Sequence, residues 1–173
     1  MNRRTLWMGG LGVAAAAAGA GVAWWRLRPG PVLGDAENQF WASAFPDVSG
    51  ALLPMSGFRG RPLLVNFWAT WCPPCVEELP LINTFHRAQS ARGWQVLGLA
   101  VDQAAPVSRF LTRLPLDFPV ALAGFAGTDL ARSLGNPSGA LPFSVVFAAD
   151  GAVLHRKLGK VSAEELAQWA SLA

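Results

Sequence analysis

The stretch NFWATWCPPCVEELP, Asn66 to Pro80, contains the chain's two cysteines, and its reading decides the rest. Before it, PLLVNFWA (Pro62 to Ala69) is an almost continuous apolar run, which predicts a central strand buried on both faces. After it, Val76, Leu79, Ile82, Phe85 and Ala88 recur at three- and four-residue steps, the spacing of a helix face. Pro73 and Pro74 suit the first turn of that helix, where a missing N–H costs nothing, and Pro80 should kink it. Cys72 and Cys75 therefore sit at a strand-to-helix junction. Unpaired N–H groups and the positive end of the helix dipole favour a thiolate at Cys72, and Cys75, one turn further in, should be more buried. The asymmetry assigns roles: Cys72 attacks a substrate disulfide, and Cys75 resolves the mixed disulfide and leaves an intramolecular one. A structural staple is a poor reading, because so short a loop removes little chain entropy when closed. A zinc site needs about two more ligands, and His86 and His155 stand at no metal-ligand spacing, so no metal or other cofactor is expected.

Working outward, Trp94 to Asp102 predicts a second buried strand, and Pro106 opens a helix through about Leu114. Asp117 to Ala123 reads as a short strand or extended segment, and Thr128 to Leu134 as a short helix ended by Gly135. Phe143 to Ala148 is a third strand, Asp150-Gly151 a hairpin turn and Ala152 to Leu158 the returning strand. Ser162 and Glu165 form a capping box for a last helix. On the N-terminal side, the turn signals at Asp47, Ser49-Gly50 and Gly57 predict a short strand pair or extended lead-in. Early alternation of strands and helices implies parallel pairing by right-handed crossover, and the late hairpin adds antiparallel strands. The expected fold is α/β, a mixed central sheet flanked by helices.

The chain has 173 residues, with 14 Lys and Arg against 11 Asp and Glu. Four of the cations, Arg3, Arg4, Arg26 and Arg28, precede Pro29, and every acidic residue follows it. The remainder is nearly neutral, which excludes the electrostatic footprint of a nucleic-acid binder. Residues 1–28 read as a signal anchor or a signal peptide. Thr5 to Trp25 is uncharged for 21 residues, enough to span a bilayer, with Trp24 and Trp25 where an interfacial belt would lie. Ala18-Gly19-Ala20 and Gly21-Val22-Ala23 resemble cleavage sites, and Arg3-Arg4 fits a twin-arginine signal. The length of the apolar run favours the anchor. Residues 29–38 read as a linker and 39–173 as the working domain.

The segment NFWATWCPPCVEELP resembles the active site of the TlpA/ResA-like thioredoxin family of exported, often membrane-anchored thiol–disulfide reductases. The lead-in FPDVSGALLPMSGFRGRPLLVNFWA resembles the family's N-terminal hairpin and its Gly-Lys approach to Asn-Phe-Trp-Ala, with Arg61 in place of the lysine. DFPVAL resembles the extended segment after the second helix, and GALPFSVVF the segment carrying a cis-proline. The resemblance runs from about Phe45 to the C-terminus. It implies a thioredoxin fold with Pro142 facing the sulfurs through a cis bond, and the backbone of Leu141 pairing with an extended substrate segment. It also implies a glutamate at Glu78, on the helix face of Cys75, placed to take the proton Cys75 must lose. Asn66 stands where cytoplasmic thioredoxins have a buried aspartate. Glu77 reads as a solvated first-turn glutamate, Trp68 as core, Trp71 as a shield of the site, and His86 and His155 as surface residues. The partners implied are disulfide-bearing clients, either apocytochrome c or copper-site proteins of oxidase assembly, and a membrane dithiol reductant of the DsbD/CcdA type. The location implied is the periplasmic side of the bacterial inner membrane, anchored, or soluble in the periplasm after cleavage. A non-catalytic adaptor of the same fold and a periplasmic disulfide oxidase remain open alternatives. A peroxidase does not, because Thr70 has the wrong spacing to Cys72 and a second cysteine sits in the motif.

Overall fold

The computed structural model describes residues 34–171, so the leader, residues 1–28, lies outside the described residues. No helix among the described residues is long and apolar enough to cross a membrane.

The order is α1 (Asp35–Ala42), β1 (Ala44–Pro46), β2 (Leu52–Pro54), β3 (Leu63–Trp68), α2 (Pro73–Gln89), β4 (Gln95–Ala100), α3 (Ala104–Arg113), β5 (Val120–Leu122), α4 (Gly127–Ser133), β6 (Phe143–Phe147), β7 (Val153–Leu158) and α5 (Ala163–Ala170). Five strands form one sheet in the order β5-β4-β3-β6-β7, and β1-β2 form a separate hairpin. β3 is parallel to β4 and antiparallel to β6, so the sheet is mixed, as the strand–helix alternation and the late hairpin imply. The two central strands β3 and β4 are buried along their whole length, which explains their lack of polar alternation.

The stretch assigned above to linker and lead-in contains a helix. α1 begins at Asp35, inside the expected linker, because Phe40 and Trp41 have a place to go. Phe40 stacks on Phe147 of β6 with ring centroids 4.6 Å apart, and Trp41 donates its indole N–H to the Gly151 carbonyl at 2.8 Å. Eight residues, about two turns, carry too little periodicity to reveal such an element. The strand pair expected next is present as β1 and β2. α3 starts at Ala104, two residues before Pro106, which occupies the first turn, where its missing N–H is harmless. α2 runs through Pro80 without ending there.

The remaining punctuation is where the sequence places it. Gly93 takes a left-handed conformation, φ 93°, after the last turn beyond α2. Ser162 Oγ accepts from the Glu165 N–H while the Glu165 carboxylate accepts from the Ser162 N–H, a complete capping box on α5. The histidines are not ordinary surface residues. His155 stacks on Trp169, and His86 meets Phe118 edge-on, because each imidazole completes an aromatic pair beside the core.

The sheet separates two packing layers. Leu64 and Trp68 of β3 face α2 and α5 in one cluster, together with both cysteines. Leu63, Val65 and Phe67 face α1 and α4 in the other. This is the period-two alternation of a strand, with both faces dry.

Candidate active site

The site is built at the end of the sheet where β3 stops and β6 starts. Phe67 pairs in register with Phe143, so the residue preceding β6, Pro142, lies beside the exit of β3. The Leu141–Pro142 bond is cis, as the resemblance implies. Pro142 is buried, and its carbonyl accepts from the Gly159 N–H at 2.9 Å, which ties the start of β6 to the end of β7. Leu141 is half-buried and packs against both core clusters.

From Trp68 the chain turns through Ala69–Trp71 into α2. Cys72 is the N-cap of that helix, and Pro73 and Pro74 occupy its first positions. The two cysteines are joined, with S–S 2.02 Å and Cα atoms 5.3 Å apart. Cys72 is 5% exposed and Cys75 0%, the order of access that the roles of attacker and resolver require. The first turn, Pro73 to Val76, holds no charged side chain, and Pro73 and Pro74 carry no N–H, so within that turn a Cys72 thiolate has the helix dipole and the Cys75 N–H to draw on. Trp71 is 61% exposed at the mouth of the site. Most of its surface faces solvent, in the turn that leads into Cys72.

One turn along α2 from Cys75 lies a polar array. Glu78, one turn beyond Cys75, is 1% exposed. Its Oε1 accepts from Asn66 Nδ2 at 2.7 Å, and its Oε2 accepts from the Val161 N–H at 2.9 Å. Asn66 Nδ2 also donates to Ser144 Oγ at 3.1 Å, on the neighbouring strand β6. Burial pushes the Glu78 carboxyl above its ordinary value. The Val161 N–H, the Asn66 amide and the charge of Lys160 pull the other way without cancelling that effect. A carboxyl held high by burial is a competent proton acceptor near neutral pH. Glu77, by contrast, points out and pairs with Lys160 at 2.7 Å, so it is solvated but not unpartnered.

One contributor was not singled out from the sequence. Asp102, just beyond β4, is buried and accepts from the Thr70 N–H at 2.9 Å, from Thr70 Oγ1 at 2.6 Å and from the Gln103 N–H at 2.7 Å. It holds the turn that leads into Cys72. The sequence signal for it is a carboxylate at the end of a buried strand, next in the sheet to the strand that leads into the cysteines. Among the described residues no group of three or more His, Cys, Asp or Glu side chains could hold a metal ion.

Comparison with known proteins agrees with this arrangement. The family model Redoxin matches residues 35–170. The thiol-disulfide oxidoreductase ResA of Bacillus cereus (strain ZK / E33L) is 31% identical over 122 residues, covering 69% of this chain and 68% of that protein. The crystal structure of a thiol:disulfide interchange protein of the thioredoxin family from Chlorobium tepidum TLS superposes with TM-score 0.67 at 25% identity, covering 76% of this chain and 92% of that one. A thioredoxin-related protein from Neisseria meningitidis serogroup B gives TM-score 0.66 at 27% identity, covering 74% of this chain and 96% of that one. The chain belongs to the redoxin family, within its ResA-like thiol–disulfide oxidoreductases, and its fold is the thioredoxin fold.

Proposed function

We propose that this redoxin-family oxidoreductase runs in the reducing direction, exported and held by residues 1–28 on the periplasmic side of the inner membrane. The observation that carries the direction is the pairing of Cys72, the N-cap of a first turn without cationic side chains, with a buried carboxyl at Glu78. An oxidant needs a strongly stabilised thiolate. Here the positive end of the α2 dipole favours the thiolate, and an ionised Glu78 in a dry site opposes it. The disulfide form is then the comfortable one, and the dithiol gives up its electrons readily.

In the reaction, the Cys72 thiolate attacks a client disulfide, and one client sulfur leaves with its electron pair. Cys75 passes its proton to Glu78 and its sulfur attacks Cys72. The bond between Cys72 and the client breaks as the Cys72–Cys75 bond forms, and the second client sulfur leaves as a thiolate. The client gains two electrons and the dithiol loses two. Leu141 supplies backbone for an extended client segment, Pro142 lines the approach to the sulfurs, and Trp71 offers an apolar surface at the rim. In an oxidising compartment the cycle needs a donor, which we assign to a membrane dithiol protein of the DsbD/CcdA type. The clients we favour are the haem-site cysteines of apocytochrome c or the cysteines of copper sites.

The test is a trap. Cys75→Ser in the full-length chain should accumulate covalent client adducts that dissolve in dithiothreitol and disappear in the Cys72→Ser/Cys75→Ser double variant. Clients that bind equally well and without covalent attachment to all three forms would make the protein an adaptor instead.

A further inference from the structure

The two ends of the main sheet differ in charge. β3, β4 and β5 are parallel, β6 runs against β3, and β7 runs against β6. The last residues of β3, β4, β5 and β7 and the first of β6 therefore share one end, the end that carries Cys72 and Pro142. At the other end the connections expose Arg59 and Arg61 before β3, Arg92 before β4, Asp117 before β5 and Asp150 before β7. At the cysteine end the charges are already engaged. Asp102 is buried under three hydrogen bonds, Lys160 pairs with Glu77 at 2.7 Å, and Asp129, in the first turn of α4, pairs with Arg132 at 2.9 Å. The stretches 69–72, 123–126 and 136–142 contain no charged residue.

What this end exposes is apolar. Trp71, Phe125 and Leu158 are 61%, 66% and 52% exposed. They stand just after β3, just after β5 and at the last position of β7. In the order β5-β4-β3-β6-β7 those are the middle strand and the two edges. Neighbouring strands lie about 4.8 Å apart, so Phe125 and Leu158 flank the cysteine strand at about 10 Å on either side. Both are fixed by backbone bonds. The Ala123 N–H donates to the Ala100 carbonyl at 2.9 Å and the Gly127 N–H to the Ala123 carbonyl at 3.2 Å, which sets the turn of Phe125 on the end of β4. Leu158 pairs with Phe143, and the next residue, Gly159, donates to the Pro142 carbonyl at 2.9 Å. A single exposed apolar side chain needs no explanation. Three of them, spaced across the end that bears the disulfide, form a track for one segment of chain.

We propose that Phe125 and Leu158 are the outer contacts of the client site, and that the site takes an extended, uncharged segment with apolar side chains on both sides of the attacked cysteine. The inference rests on the reading of Cys72 and Cys75 as a dithiol that reduces client disulfides. In an extended segment the second and fourth residues from the cysteine point the same way as it does, about 7 and 13 Å along the chain. These positions bracket the span to Phe125 on one side and to Leu158 on the other. A charged side chain there would lose water against an apolar surface and meet no counter-charge in return.

The experiment uses the reduced full-length protein and reads the second-order rate of its oxidation in a single turnover. The probes are nine-residue peptides whose central cysteine is held in a mixed disulfide with 2-mercaptoethanol. The second and fourth residues on each side are all leucine, all lysine or all aspartate, and the rest are serine. Hydroxyethyl disulfide, too small to reach the flanks, gives the intrinsic reactivity of the dithiol, and each peptide rate is taken as a ratio to it. The leucine peptide should exceed both charged peptides by about tenfold, which is what burying about half of a leucine supplies. The gap should persist in high salt, because no ion pair carries it. Phe125→Ser and Leu158→Ser should each lower the leucine-peptide ratio several-fold, and the double variant should erase the preference. Leu154→Ser, an exposed leucine near the start of β7 at the opposite end, should leave it unchanged. Equal ratios for the three peptides would overturn the proposal, as would preference for a charged peptide or a preference that survives in the double variant. A dimer that Phe125→Ser dissociates would put a second copy of the chain on this surface instead. Oxidation by hydroxyethyl disulfide without discrimination among the peptides removes the client class and leaves the dithiol reading intact; no oxidation by any probe removes both.

Discussion

The two faces of one sheet do different work. On the side of α1 and α4, β3 presents Leu63, Val65 and Phe67 to a cluster rich in aromatic rings, including Phe40, Phe143 and Phe147, all fully buried. On the side of α2 and α5 the same strand presents Leu64, Asn66 and Trp68, and the layer also holds a disulfide, a buried glutamate and a buried serine. The first face gains from every atom it hides. The second gives up part of that gain, since a carboxyl with raised affinity for protons is a group that folding has made less comfortable when charged. Chemistry in such a fold is to be sought not in the purely apolar layer but in the layer that tolerates polar groups, where Asn66 Oδ1 and Trp68 Nε1 are buried without a hydrogen-bond partner.

Substitutions can sharpen or break this contrast. The largest effect belongs to Cys72→Ser, which should bring client-disulfide reduction down to the uncatalysed background while leaving the fold intact. Retained turnover in a disulfide-reduction assay would transfer the role of attacker elsewhere. Next, Phe147→Ala, on the apolar face, should cost about 3–5 kcal/mol in denaturant unfolding, with activity at low temperature preserved. An equal loss in activity would mean that the two faces are not separable.

Glu78→Gln should reverse that pattern. The resolving step should slow by on the order of 10²-fold, the lower end of what a positioned acid–base group supplies. Stability should move the other way above the ordinary carboxyl range. Glu78 binds its proton more tightly when folded than when unfolded. Its stabilising contribution is therefore complete below the unfolded pKa and is lost as pH rises through the folded one. Thermal unfolding against pH should show the parent losing stability across that window and the Gln variant losing less. A parent that gains stability there would reverse the sign assigned to Glu78. The smallest effect is remote from the site: Ser162→Ala removes one half of the α5 capping box and should cost about 1 kcal/mol, readable as a small shift in the unfolding midpoint with unchanged turnover.

Legibility from sequence followed the same division. β3, β4 and β6 are nearly continuous apolar runs, each with one polar residue, and they are readable because strands buried on both faces need no polar alternation. The cysteines were readable from their junction, and Pro142 from the resemblance of the segment around it. α1 was not, because its two anchors, Phe40 and Trp41, gain their meaning from Phe147 and Gly151, more than a hundred residues away. Asp102 was missed for the same reason: its partner is Thr70, across two strands, and no local pattern announces the bond. Glu78 is implied by the resemblance, and helical spacing puts it on the face of Cys75, but its burial and its link to Asn66 and Ser144 exist only once β3, β6 and α2 have been packed together.

The central claim is the direction of electron flow, and the reduction potential of the Cys72–Cys75 couple tests it most directly. The full-length protein would be equilibrated against graded dithiothreitol or glutathione buffers and the thiol fraction read at each. A reductase should give a value near or below about −270 mV, in the range of thioredoxin itself. A value near about −120 mV, that of a strong oxidant, would mean that the site stabilises its thiolate after all and makes disulfides rather than removing them.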